Sequence, residues 1–127
     1  MERIITVGGQ AVRMRASALI PRLYRFKFGR DMIKDMSQLE KAYKKAVNLS
    51  QDASDEERSE AQFSAVDLTI FENVAWAMCK NADPSVPDDP EEWLDGIDGV
   101  FSVYEVLPEV LELWAAGLET TSKPAKK

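Results

Sequence analysis

Few residues of this 127-residue chain could carry catalytic chemistry. Histidine is absent, which removes the commonest general base and the commonest metal ligand. The one thiol, Cys79, follows Trp76, Ala77 and Met78. That apolar setting denies it the basic, accessible surroundings that activate a nucleophile. The acids between Asp83 and Asp98 are dense, but their spacing is not that of an EF-hand loop. Helix capping already accounts for Asp88, Asp89, Glu91 and Glu92. Gly8-Gly9 lies in neither a Walker sequence nor a dinucleotide fingerprint. The chain therefore reads as a non-enzyme with no cofactor and no metal, working by contact with other proteins.

Basic and aromatic residues interleave near the N-terminus: Arg13, Arg15, Arg22, Arg25, Lys27 and Arg30 with Tyr24, Phe26 and Phe28. Such a pattern can bind a nucleic-acid backbone. The net charge of −6 and a pI near 4.7 oppose it, and the aromatics sit where a helix needs core residues. The expectation is no nucleic-acid affinity, with a small regulatory nucleic-acid-binding protein as the runner-up. The charge is divided unevenly. Residues 1–49 carry a balance of +7 and residues 50–122 one of −16. Opposite signs suit two solvated faces, or two copies meeting electrostatically.

The elements that must position these residues are mostly helical. Ile4, Ile5 and Val7 precede Gly8-Gly9, and Val12 and Met14 alternate with Arg13 and Arg15, which predicts a β-hairpin over 3–15. A short helix over about 21–28 should end at Gly29, a left-handed C-terminal residue, with Pro21 in its first turn. Asp31 can cap a second helix along Met32/Ile33, Met36, Leu39, Tyr43 and Ala46/Val47. Ser54 and Glu57 fit a capping box opening a helix that runs to about Lys80. From Phe63 that helix is apolar on most sides (Val66, Leu68, Ile70, Phe71, Val74, Trp76, Met78, Cys79), as suits a central spine. A proline-rich loop follows, and Asp89-Pro90-Glu91-Glu92 starts a short helix. Ser102 and Glu105 form another capping box, and Val103, Val106/Leu107, Val110/Leu111, Trp114 and Leu118 make one stripe. Pro108 should kink this last helix unless it starts later. The fold class is mainly α: about five helices around a central apolar one, behind the hairpin. One domain should span 1–119, with 120–127 a disordered basic tail.

A lone cysteine points to a reducing compartment. Met1-Glu2-Arg3-Ile4-Ile5 lacks the pattern of a signal peptide, and no run reaches the ~18 apolar residues of a membrane span. The expectation is a soluble protein that stays inside the cell and meets no membrane.

Three stretches carry a resemblance. The first is Leu19-Ile20-Pro21-Arg22-Leu23-Tyr24-Arg25-Phe26-Lys27-Phe28-Gly29-Arg30-Asp31 with Asp35 beyond. The second is Trp76-Ala77-Met78-Cys79-Lys80-Asn81-Ala82-Asp83-Pro84, Pro87-Asp88 and Glu92-Trp93-Leu94-Asp95. The third is Tyr104-Glu105-Val106-Leu107-Pro108-Glu109-Val110-Leu111-Glu112-Leu113-Trp114, closing in Thr120-Thr121-Ser122-Lys123-Pro124. In order and spacing they resemble the tail assembly chaperones of long-tailed, siphovirus-like bacteriophages and prophages of Gram-positive hosts. The resemblance implies a protein that coats the helical tape measure protein in the host cytoplasm, associates with itself, and is absent from the mature virion. It also implies a short, non-frameshifted form, whose longer frameshifted partner product recruits tail tube protein. A structural tail component is the third reading. The family offers no catalytic residue to carry over. A holdase needs an apolar surface that a client can cover. The candidates are Tyr24 and Phe28 in the first helix and Val106, Val110, Leu113 and Trp114 in the last, although ordinary core packing would also use them.

Overall fold

The computed structural model describes residues 2–49, 63–99 and 101–122. Among these residues it is mainly α-helical, with five helices behind an antiparallel two-stranded hairpin. Strands β1 (Glu2–Val7) and β2 (Gln10–Arg15) pair in the register Ile5↔Val12 and Val7↔Gln10. Gly8 and Gly9 have φ of 57° and 82°, the positive pair that a two-residue type I′ turn requires. Ile5, Val7 and Met14 are buried on one face, while Ile4 and Arg13 look outward. Two strands alone would be marginal in water. Here β2 lies on the central helix and β1 on the last one.

Helix α1 (Ile20–Phe28) starts one residue before the expected position. Leu19 occupies the cap without a side-chain hydrogen bond, and the Ile20 N–H donates to the Ser17 carbonyl at 3.1 Å. Gly29 ends it in the left-handed conformation, its N–H donating to the Arg25 carbonyl at 2.8 Å. Helix α2 (Met32–Leu49) is capped by Asp31, whose Oδ1 accepts from the Ile33 N–H at 2.9 Å. It buries Met32, Met36 and Leu39.

Helix α3 (Ala65–Ala82) is the spine. It begins later than expected, because Phe63 and Ser64 are not helical. Ser64 and Asp67 form the capping box, with the Asp67 N–H 3.0 Å from Ser64 Oγ and the Ser64 N–H 3.3 Å from Asp67 Oδ2. The Ser54–Glu57 box lies outside the described residues. Val66 and Leu68, expected on an apolar surface, are exposed. From Val74 to Cys79 every residue is buried. Hairpin, α1, α2 and the two later helices all pack on it.

The loop after α3 is tied back to it. Lys80 Nζ donates to the Pro84 and Val86 carbonyls and pairs with Asp88 at 2.7 Å, and Trp76 Nε1 donates to the Pro87 carbonyl at 2.8 Å. Helix α4 (Pro90–Asp95) is capped by Asp89 and buries Trp93. Helix α5 (Val103–Ser122) contains Pro108 as its sixth residue, so the Tyr104 carbonyl one turn earlier receives no N–H from it. The helix continues to Ser122, past the expected boundary at 119; residues 123–127 lie outside the described ones. Arg3 of β1 reaches Glu109 and Glu112 of α5 at 3.5 Å. Such part-exposed pairs contribute only about 0–1 kcal/mol.

The hairpin turn is also held from above, by the segment after α4. A Cβ on Gly8 would stand 2.7 Å from Ile97 Cγ2, and one on Gly99 would collide with the Gly8 backbone. Glycine at both positions lets two backbones meet. Gly99→Ala should therefore lower stability by roughly 1–3 kcal/mol, as overpacking does. Urea denaturation checks this, and an unchanged midpoint would contradict the close approach.

Candidate protein-binding site

The residues with chemical potential are locked in structural roles. Cys79 is buried, and that burial, followed by the negative charge of Asp83, pushes its thiol up to about 12. Among the described residues no cluster of three or more Cys, Asp or Glu is arranged to hold a metal ion. None of the described helices is long and apolar enough to cross a membrane.

One charged side chain is buried among the described residues: Asp35, at 3% exposure. Its Oδ2 accepts from the Tyr24 hydroxyl at 2.7 Å and from Arg30 Nε at 2.8 Å, and its Oδ1 accepts from Arg30 Nη2 at 2.8 Å. Burial alone would raise the Asp35 pKa. The hydrogen bonds from Arg30 and Tyr24, with the guanidinium charge, outweigh it and hold the carboxyl below its ordinary value. The three residues join α1, the turn and the first turns of α2.

This assignment moves Tyr24 from surface to core, where it is buried with its hydroxyl paired. Val106, Val110 and Leu113 are likewise fully enclosed in the core cluster. These four make no surface for a client to cover in this fold. The apolar stripe of α5 is the face it turns to β1, α2 and α3. Phe28 is half-buried, its ring 4.9 Å from Tyr24 and 5.6 Å from Trp76. It serves to close the α1–α3 contact. Trp114, by contrast, borders an open hollow.

That hollow is a groove of about 230 Å³ between α2 and α5. Its α2 wall is Ile33, Met36, Ser37 and Glu40, at helical spacing of three, four and seven. Its α5 wall is Leu111, Trp114 and Ala115, again three and four apart. Ile33 is 60% exposed, and Leu111 and Trp114 are half-buried. The groove is thus walled by the flanks of two core stripes. Lys44, paired with Glu40 at 3.9 Å, stands one turn further along α2. An apolar trough with a charged edge fits the apolar side of an amphipathic helix. Sequence periodicity does not single out Ile33 and Leu111 as groove-lining residues, since each adjoins a core residue, Met32 or Val110. Their one available signal was a second apolar residue beside the core position, which widens the stripe.

Compared with family models, with characterised proteins and with solved structures, the chain has no match.

The Asp35 cluster has a consequence for pH. Because the folded-state carboxyl has the lower pKa, its stabilisation is complete above the unfolded value of about 4 and is lost as pH falls through the folded one. Asp35→Asn should cost about 1–3 kcal/mol near neutral pH and flatten the acid limb of a stability–pH curve. An acid limb identical to that of the parent protein would contradict this role.

Proposed function

We propose that this protein is a tail assembly chaperone, holding a long amphipathic helical client, the tape measure protein of its phage, in solution during tail assembly. The observation that carries this reading is the α2–α5 groove, a trough whose walls are mainly apolar, with Ser37 and Glu40 among them, at helical spacing and with an exposed isoleucine on its rim. The resemblance of the three stretches supplies the identity of the client; the groove supplies a physical means of binding it. An isolated helix with an apolar stripe aggregates through that stripe. Covering it removes apolar surface from water, worth about 25 cal/mol per Å². The exposed carboxylates Glu105 and Glu112 on α5 would keep the complex charged and dispersed. Catalysis has no part in this role, and neither does a cofactor. The chaperone would act in the host cytoplasm and be left out of the finished particle. Recruitment of tail tube protein belongs to a longer frameshifted product.

Co-expression of the tape measure protein with and without this chain tests the reading. Soluble client should rise severalfold with the chain present and should co-purify with it. Ile33→Asp should abolish most of that gain. Its cost to stability should stay within about 0.5 kcal/mol, because the side chain is largely exposed. A client equally soluble without the chain, and never co-purifying with it, would end the assignment.

A further inference from the structure

The basic and aromatic residues that precede α2 divide unequally between core and surface. Tyr24 is buried and Phe28 half-buried, but Phe26 is 91% exposed, more than any other large apolar side chain among the described residues. The expectation that these aromatics serve the core therefore holds for two of them and fails for Phe26. Leu19 and Arg22, seven and four residues earlier, share its face of the helix, and Arg25 borders that face. All three are exposed.

The charge of this stretch is one-sided. From Gln10 to Arg30 the sequence holds six cations and no acid. Three of the cations are engaged within the fold. Arg13 reaches Glu2 at 3.7 Å and the Ala82 carbonyl at 3.2 Å, Arg30 holds Asp35 at 2.8 Å, and Lys27 lies 5.6 Å from the Trp76 ring. Arg15, Arg22 and Arg25 are exposed, and no carboxylate among the described residues pairs with them. The net charge of −6 does not cancel this local excess. At 0.1 M salt exposed charges are screened beyond about 10 Å, so a ligand lying on α1 meets the guanidinium groups beside it.

An exposed flat ring beside guanidinium groups without partners offers stacking and anion pairing together. An unpaired nucleic-acid strand takes both at once, with base faces for the ring and phosphates for the guanidinium groups. A duplex keeps its base faces inside the stack. An acidic protein segment supplies carboxylates but no series of flat faces. Attachment to a bilayer scales with the apolar area buried, and one phenylalanine with a part-exposed leucine on a nine-residue helix offers little of it.

We propose that the outward face of α1 binds single-stranded nucleic acid, a base stacking on Phe26 while Arg22 and Arg25 take neighbouring phosphates. Arg15, shortly before the helix in the chain, adds to the positive field. Stacking and phosphate contacts are indifferent to base identity, so the binding is general in sequence. Neither contact involves the sugar, so RNA and DNA strands serve alike. The site shares no residue with the α2–α5 groove and does not rest on the chaperone reading.

Fluorescence anisotropy of labelled oligo-dT and oligo-U, titrated with the full chain, tests this. Both strands should bind at low salt with a Kd of roughly 1–100 µM, the range of non-specific contacts. Affinity should fall with salt at a log–log slope of about −1.4, roughly −0.7 for each of two phosphates. Phe26→Ala should weaken binding at least about five-fold, the lower end for one stacked base, and leave that slope unchanged. Arg22→Gln or Arg25→Gln should each reduce the slope by about 0.7. Circular dichroism shows that each variant, altered at an exposed position, is folded. Duplex DNA, polyglutamate and anionic phospholipid vesicles, added as competitors, should each displace the strand at least about ten-fold less well than unlabelled oligo-dT. No saturable binding at low salt would overturn the proposal. So would a Phe26→Ala variant that binds like the parent, arginine variants with the parent's slope, or any of the three competitors matching oligo-dT.

Discussion

Everything in this fold is arranged around a stretch of helix that has no outward side. From Val74 to Cys79 six consecutive residues of α3 are buried, so the turn they form must be enclosed through its full circumference. An ordinary amphipathic helix needs one partner surface. This one needs the hairpin, α1, α2, α4 and α5 together. The requirement reaches the polar groups as well. Trp76 finds the Pro87 carbonyl for its indole N–H, and Lys80 gathers the loop onto the end of the helix. Asn81 donates to the Arg15 carbonyl and to Ser17 Oγ, which fixes the hairpin exit against the same end.

That arrangement decides what remains for the surface. The richest apolar stripes of α1, α2 and α5 are consumed in covering α3. What stays open lies beside them: Ile33 and Trp114 on the flanks of α2 and α5, and Phe26 on the back of α1. The Tyr24–Asp35–Arg30 cluster, in turn, sets α1 against α2, and with it the direction in which Phe26 points. The stretches that carry the resemblance to tail assembly chaperones meet in the same packing. Phe28 and Lys27 of the first lie against Trp76 of the second, the lysine 5.6 Å from the ring.

Signals in the sequence are legible wherever the chemistry is local. Gly8-Gly9 specifies its turn through φ alone, Gly29 its helix end, and Asp31 and Asp89 their caps. The spine is legible because residues 74–79 carry no polar or charged side chain that would mark an outward face. The Ser64–Asp67 box that starts α3 carries the same signature as Ser54 and Glu57, and a signature alone does not say where a helix begins. The groove-lining residues are harder to read for a more basic reason. Periodicity identifies the apolar stripe, and a stripe such as Val106, Val110 and Leu113 is apolar because it is core. Which flank stays open depends on how far apart α2 and α5 are held, a distance set by side chains remote in sequence.

In the proposed function the α2–α5 groove receives an apolar helical stripe of the client. Placing a photo-crosslinking amino acid at position 33, with position 66 of α3 as an equally exposed control, tests it directly. Irradiation of the co-expressed complex should join position 33 to the client, at sites spaced three to four residues apart along one helical face. Position 66 should yield little. Equal crosslinking from both positions, or none from position 33 in a complex that still co-purifies, would contradict the account.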